Sequence, residues 1–223
     1  MAPKVATKSS DPSIVETLTI HSNVNTSDTV SLCDGLVELT YIESIMNDTI
    51  KVNITFVDTG ASINGKTVIE GLPLVGQEKV ILKFKDNNKN VLGDKPELVL
   101  YVNKITPALN KSQKSIVGLE LVSKEYILNE KIRITKRMDG KVSDHIKTIL
   151  TSNDYLKTQK KVDIEDTINN FNFFGNNKKS LYTINWLSKK GVSAKSQKLG
   201  DSAGYFFYET SEGFFFKSID SLL

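Results

Sequence analysis

The feature that most constrains this sequence is an alternation of apolar and polar side chains, with a period of two residues, that recurs between residues 14 and 122. Apolar residues occupy every second position in the runs Leu18–Ile20, Val37–Tyr41, Ile50–Phe56, Val80–Phe84, Leu98–Val102 and Val117–Leu121. Successive side chains of a β-strand point to opposite faces, so each run predicts a strand with one buried face. Six or seven such strands without an intervening helix predict an antiparallel barrel or sandwich.

Beyond about residue 122 the pattern changes toward helices. One helix is predicted near Ser143, with Ser143 as its cap and an apolar stripe that contains Val142, Ile146, Ile149 and Leu150. A second helix is predicted to start at a Ser180 cap and to end at Gly191 in the left-handed conformation. The segment 130–136 still alternates and could be a further strand.

The C-terminal residues form a dense aromatic pattern. Tyr205 to Tyr208 and Phe214 to Phe216 flank a Thr-Ser-Glu-Gly turn, which predicts a β-hairpin. Burying one aromatic side chain is worth roughly 1.5–3 kcal/mol, so a ribbon that is apolar on both faces requires cover. The rings are either ordinary core or part of a subunit interface. We expect the ribbon to complete the barrel that the N-terminal strands begin.

These patterns predict an α+β, mainly β protein, an antiparallel β-barrel with a helical insertion. Residues 1–12 are small, polar and unpatterned and are predicted to be a flexible arm. Residues 13–122 plus 201–223 are predicted to form a discontinuous barrel domain, and residues 123–200 a basic helical insertion domain.

The net charge of +3 is unevenly distributed, because residues 123–200 contain 16 Lys and Arg against 8 Asp and Glu. Such a basic segment indicates either a face that meets an acidic partner or a solvated lysine-rich surface. Seven lysines of this segment could neutralise nucleic-acid phosphates: Lys157, Lys160, Lys161, Lys178, Lys179, Lys189 and Lys190. They match no known reading motif, so we expect no specific nucleic-acid binding.

The sequence offers few groups for catalysis or metal binding. Cys33 is the single cysteine, and His21 and His145 have no partner at ligand spacing. Asp163, Glu165 and Asp166 could serve a glycosidase or a metal, but a solvated acidic run is the simpler interpretation. The loop from Gly71 to Gly76 lacks the lysine of a phosphate loop. We expect no enzyme activity and no cofactor. Without a signal peptide or a run of eighteen apolar residues, we expect no membrane association.

The order of parts resembles the baseplate central hub, or tail-tube cap, proteins of contractile-tailed phages, which are related to the VgrG-like hub of type VI secretion. The specific matches are Trp186-Leu187 in a helix, Ala203-Gly204-Tyr205 in a strand and Gly213-Phe214 in the return strand. Weaker matches lie at 71–78, 125–130 and 174–179. The residues that we expect to matter for structure or for an interface are Trp186, Leu187, Gly204, Tyr205, Phe207, Gly213, Phe214 and Phe216.

The resemblance implies that the barrel is tail-tube-like. It also implies a structural virion protein of the baseplate hub that joins the tail tube to the central spike and adapts sixfold to threefold symmetry. Its expected partners are further copies of itself in a homotrimer, the tube protein, the spike protein and other baseplate proteins, with DNA passing through the ring. It implies a location in the virion tail baseplate after assembly in the host cytoplasm. The alternatives are a tube initiator or terminator subunit and a tail-associated cell-wall hydrolase. The family carries two barrels per subunit and this sequence accounts for one, so we expect the chain to be truncated.

Overall fold

The computed structural model describes residues 13–24, 28–58, 65–86, 90–91, 97–111, 114–194 and 204–223. The predicted arm, residues 1–12, lies outside the described residues. The chain divides into two compact units. The N-terminal unit comprises the described parts of Met1–Tyr41 and Lys51–Val122, and the C-terminal unit comprises those of Ile42–Ile50 and Ser123–Leu223.

The N-terminal unit is a single curled, antiparallel sheet of seven strands. The strands are β1 (Ile14–His21), β2 (Thr29–Ser31), β3 (Leu36–Ile42), β4 (Lys51–Asp58), β5 (Lys79–Lys85), β6 (Leu98–Lys111) and β7 (Lys114–Val122). Their spatial order is β2-β1-β5-β6-β7-β4-β3, so β2 and β3 are the edges of an open half-barrel. The expected mainly β, α+β fold class is thereby confirmed.

The period-two pattern places one face of this sheet in the core. The buried apolar residues of the strands include Leu18, Ile20, Val52, Ile54, Phe56, Val80, Leu82, Leu100, Val102, Val117, Leu119 and Leu121. Val37 departs from the prediction of a buried position, since 64% of its surface is exposed. It lies in β3, whose edge position leaves it without a second neighbouring strand. The prediction of strands without an intervening helix was wrong, because a short helix, α1 (Val68–Gly71), lies between β4 and β5. The hydroxyl of Thr67 accepts a hydrogen bond from the Glu70 N–H (3.2 Å) and so caps this helix.

The C-terminal unit combines helices with small sheets. Its helices are α2 (Lys124–Lys131), α3 (Val142–Thr151), α4 (Ser180–Ser188) and α5 (Ile219–Leu222). Its strands are β8 (Arg133–Ile134), β9 (Arg137–Met138), β10 (Lys161–Ile164), β11 (Phe173–Phe174), β12 (Lys178–Lys179), β13 (Tyr205–Thr210) and β14 (Gly213–Ser218). The strand considered for 130–136 is therefore two residues long, because α2 continues through Lys131.

The C-terminal ribbon is the expected hairpin, β13 paired antiparallel with β14. Its partner differs from the prediction. β14 pairs in parallel with β10, and this three-stranded sheet is separate from the seven-stranded one. The ribbon therefore belongs to the C-terminal unit and does not complete the N-terminal sheet. The physical reason is that α3, α4 and β10 supply within one unit the apolar cover that the aromatic side chains need.

Both predicted helices exist, but their ends are capped differently from the prediction. Neither Ser143 nor Ser180 is an N-cap, and neither helix has a side-chain bond from its own N-cap residue. Instead Thr167 Oγ1 accepts a hydrogen bond from the Ser143 N–H (3.0 Å), and Asn129 Oδ1 accepts one from the Leu181 N–H (2.8 Å). Distant residues thus satisfy the first-turn donors.

Gly191 does not adopt the left-handed conformation that was predicted for it. A Cβ at this position would lie 3.1 Å from the ring of Tyr205 and 3.3 Å from a methyl carbon of Thr167. The glycine therefore allows close packing and does not end the helix by its backbone geometry. Among the described residues, no helix is both long and apolar enough to cross a membrane.

Candidate functional site

The aromatic ribbon is held by stacked rings. Tyr205 and Phe216 stack at 4.3 Å between ring centroids, with 8° between their planes. Phe207 and Phe214 are parallel to within 2° at 5.8 Å. Both pairs are diagonal neighbours across β13 and β14, because Phe207 is directly opposite Phe216. The aromatic side chains of β13 and β14 are thus closely packed against each other.

The residues expected to matter in the last fifth of the chain serve mainly this interior. Leu187, Phe214 and Phe216 are fully buried, and Tyr205 and Phe207 are at most 7% exposed. All five belong to one apolar cluster with α3 and α4. The Gly204 carbonyl accepts a hydrogen bond from the Ile219 N–H (3.0 Å), which fixes the start of α5.

Gly213 is required by the backbone. Its φ of +151° is strained for other residues, and an added Cβ would lie 2.2 Å from the carbonyl oxygen of Lys161. The parallel pairing of β10 with β14 opposes these two residues directly. A side chain at position 213 would therefore separate the strands.

A buried ionic cluster lies beside the ribbon. The ammonium of Lys160 pairs with the carboxylates of Glu209 and Glu125, the latter at 3.2 Å. Glu209 also accepts hydrogen bonds from the hydroxyl of Ser123 (2.5 Å) and the N–H of Ile50 (3.0 Å). The side chain of Glu209 is 0% exposed and that of Glu125 is 5% exposed. The cluster therefore joins β13 to three other segments of the C-terminal unit.

The charges of this cluster depend on each other. Burial raises the pKa of Glu209, and the bonds from Lys160, Ser123 and Ile50 offset this only in part. Burial alone would lower the pKa of Lys160, but the attraction of Glu209 and Glu125 outweighs it, and the net direction is upward. The lysine therefore stays charged. Glu209, a charged residue in an otherwise aromatic strand, was the only sequence signal of this cluster.

Trp186 lines an aromatic groove on the same unit. Its ring lies 5.2 Å from that of Phe171 and 5.4 Å from that of Phe173, edge-on in both cases at 68°. Phe173 in turn contacts the ring of His145 edge-on at 5.4 Å, and His145 Nε2 lies 2.9 Å from the carbonyl oxygen of Phe171. Contacts with neighbouring aromatic rings thus fix the position of the Trp186 ring.

The groove holds a cavity of about 230 Å³ whose rim is aromatic and basic. Phe174 is 59% exposed and Tyr182 is 56% exposed. Arg137 lies over the Phe174 ring at 5.7 Å from its centroid, and Lys178 lies over the Tyr182 ring at 5.6 Å. The resemblance indicated Trp186, but the sequence did not predict the groove, because β11, β12 and α4 assemble it from separate segments.

Two of the three acidic residues considered for catalysis form structural bonds through their carboxylates. The carboxylate of Glu165 is buried and accepts hydrogen bonds from the Ser193 hydroxyl (2.8 Å) and the Ser218 N–H (2.9 Å). Asp163 pairs with Lys217 at 2.6 Å. Within the described part of the chain, no three His, Cys, Asp or Glu side chains are grouped so that they could hold a metal ion.

Two of the lysines considered for phosphate binding and the Gly71–Gly76 loop make contacts within the protein. Lys160 belongs to the buried cluster and Lys179 pairs with Glu130 at 2.5 Å, which removes both from a continuous phosphate-binding row. In the Gly71–Gly76 loop, the buried carboxylate of Glu78 accepts hydrogen bonds from the N–H groups of Val75 (2.6 Å) and Gly76 (2.8 Å). The Glu78 carboxylate thus occupies the N–H groups that a phosphate would need.

Comparison with known proteins identifies solved structures that have a similar fold. No protein-family model and no curated protein matches the chain. Several solved structures do match it. The 43 kDa tail protein of prophage MuSo2 from Shewanella oneidensis has a TM-score of 0.56 at 8% identity, over 90% of this chain and 53% of that one. A tail protein from Neisseria meningitidis MC58 has a TM-score of 0.52 at 7% identity, over 92% and 50%.

A prophage tail protein from Listeria monocytogenes EGD-e gives a TM-score of 0.51 at 10% identity, over 91% of this chain and 50% of that one. The chain spans about half the length of these three structures. At such identities the likeness establishes the fold. This chain has a fold that it shares with phage tail proteins, and the expected resemblance is confirmed at that level.

Proposed function

We propose that this chain is a structural component of the tail of a phage or of a phage-derived injection device. The observation that carries the proposal is the fold shared with three tail proteins over at least 90% of the chain. Because each of those structures is about twice as long as the matched region, the proposal concerns a part that acts within a larger tail protein or assembly.

Within the tail we place the chain in the baseplate hub, where it would join the tail tube to the central spike and adapt sixfold to threefold symmetry. The support is the resemblance of Trp186-Leu187, Gly204-Tyr205 and Gly213-Phe214 to the hub proteins. The ribbon pairs with β10 and does not complete the N-terminal sheet, so it gives no support to the hub role. The partners would be copies of the chain in a trimer, the tube, the spike and other baseplate proteins, in the virion tail after assembly in the host cytoplasm.

The open edge of the N-terminal unit offers a surface for self-assembly. β3 is an edge strand with Val37 exposed, and a groove of about 460 Å³ beside it is lined by apolar residues that include Val15, Leu36 and Tyr41. An unprotected edge with an apolar margin favours pairing with another chain. The proposed trimer would use this edge.

Native mass spectrometry and electron microscopy of the purified chain test the assembly. We expect a trimer and a threefold ring. Val37→Lys should convert it to monomers, because the charge would enter an apolar contact, whereas Val24→Lys, at an exposed position outside the strands, should leave it intact. A sixfold ring would favour a tube initiator or terminator, and a monomeric wild type would refute the hub role.

We propose further that the chain acts by surface complementarity and not by catalysis. The carboxylates available to a cell-wall hydrolase, Asp163 and Glu165, are held by Lys217 and by Ser193 and Ser218. A zymogram with purified cell walls should show no clearing. Clearing that disappears in Asp163→Asn, a variant of a partly exposed residue that should remain folded, would establish the hydrolase instead.

A further inference from the structure

The aromatic groove around Trp186 has a size that limits what it can bind. Its cavity of about 230 Å³ is smaller than the roughly 300–1,000 Å³ of pockets that enclose cofactors or drug-sized ligands. A single large side chain is a better match to this volume. The half-exposed rings of Phe174 and Tyr182 line the cavity, so a side chain from another protein segment can reach it.

The residue types of the groove are those that dominate protein interfaces. Scattered exposed apolar residues are ordinary, but here two half-exposed rings and a tryptophan line one cavity. Trp, Tyr and Arg are enriched among the residues that carry interface binding energy. Trp186 and Tyr182 are four positions apart in α4 and so share one face of the helix. The contacts of Phe171 and Phe173 with Trp186 preorganise that face, which lowers the cost of binding.

The charge of the rim selects the partner. Among the described residues that line the cavity none is acidic, and Lys178 projects there over the Tyr182 ring without a carboxylate partner. Arg137 adds a second cation over Phe174, although Asp139 pairs with it at 2.9 Å. Within the described part of the chain, the uncompensated charge at the cavity is therefore positive. An acidic segment complements it, and a basic one is repelled.

We propose that this groove is a docking site for a protein segment in which an aromatic or apolar side chain is flanked by Asp or Glu. The side chain enters the cavity against Trp186, between Phe174 and Tyr182, and the flanking carboxylates meet Lys178. The site lies wholly within the C-terminal unit and does not depend on the proposed role in a phage tail.

The single tryptophan of the chain makes this testable, because all tryptophan emission comes from Trp186. The probe is a capped Glu-Asp-Phe-Asp-Glu peptide, which has no tryptophan. One anchored side chain supports a dissociation constant on the order of 1 mM, so the peptide is titrated to about 5 mM. We expect a saturable change in emission that weakens with added salt. The same peptide with Ala for Phe, or with Lys for each acidic residue, should give no saturable change.

Variants separate the groove from the rest of the surface. Tyr182→Ala and Lys178→Glu, both at exposed positions that should not affect folding, should each weaken the peptide about fivefold or more. Lys147→Glu, the same charge reversal on the exposed face of α3, should leave its affinity unchanged. Equal binding of the basic peptide, no saturation with the acidic one, or equal weakening by Lys147→Glu would overturn the proposal.

Other occupants give different results. If a second copy of this chain filled the groove, Tyr182→Ala would change the oligomeric state seen by native mass spectrometry. If DNA filled it, duplex DNA would change the Trp186 emission at concentrations where the acidic peptide does not. Either outcome contradicts the proposal. An unchanged native mass together with saturable acidic-peptide binding supports it.

Discussion

Lys160 and Glu209 form an ion pair inside the C-terminal unit, where no part of the glutamate side chain reaches solvent. Lys160 comes just before β10 and Glu209 lies in β13, so the pair ties together two segments of one small sheet. The Lys160 side chain is 31% exposed, but Glu209 is fully buried, so losing the lysine leaves a buried charge uncompensated. The stability of this unit should therefore be more sensitive to Lys160 than to any exposed lysine.

Lys160→Met should destabilise the C-terminal unit by about 3–5 kcal/mol, because Glu209 and Glu125 would lose their common cation. Urea unfolding followed by Trp186 emission measures it, since the only tryptophan reports on this unit. The matched control is Lys136→Met, which removes a solvent-exposed pair with Asp154 and should leave the stability almost unchanged. Similar losses in the two variants would contradict the importance of burial.

The same variant should change the pH dependence of stability. Burial already raises the pKa of Glu209, and Lys160 opposes that rise, so removing the lysine raises this pKa further. A carboxyl whose pKa is higher in the folded state binds more protons there than in the unfolded state, so the stability it contributes grows as the pH falls through the folded pKa. Between pH 7 and pH 5 the unfolding free energy of Lys160→Met should therefore rise more steeply than that of the wild type. Parallel curves would show that Glu209 does not titrate in this way.

Gly213→Ala should destabilise the ribbon by more than the roughly 1–3 kcal/mol of backbone strain, because the new Cβ would also meet the Lys161 carbonyl. Gly140→Ala is the control. Its φ of +130° is likewise unfavourable for alanine, but the nearest atom to the added Cβ, on His145, is at 3.8 Å. Thermal unfolding should separate the two variants. If both lower the melting temperature equally, the close approach of the strands at Gly213 is not limiting.

The cap of α4 can be assigned by two alanine variants. Asn129→Ala removes the acceptor of the Leu181 N–H and should cost about 1–2 kcal/mol. Ser180→Ala should cost little, because the Ser180 hydroxyl is buried and has no hydrogen-bond partner among the described residues. Urea unfolding decides between them. A larger loss from Ser180→Ala would restore the cap predicted from the sequence.

The residues of the candidate site differed in how well the sequence predicted them. Trp186 and Gly213 were recognised, one by the resemblance and the other by its turn. Lys160 was read as a surface cation because nothing in its neighbourhood indicates a buried partner 49 positions away. The groove was not predicted, since Phe174 and Tyr182 come together only through the pairing of short strands, β9 with β11 and β8 with β12.

The sequence by itself determined the local structure: the strands of residues 14–122, the helices over Val142–Thr151 and Ser180–Ser188, and the hairpin of the ribbon. These follow from the period of the apolar residues, which depends only on neighbours along the chain. The tertiary structure alone decided that β14 pairs with β10, that Asn129 and Thr167 supply the helix caps, and that Glu209 meets Lys160. These contacts join segments far apart in sequence, and several arrangements would bury the same apolar faces, so only the packed chain selects among them.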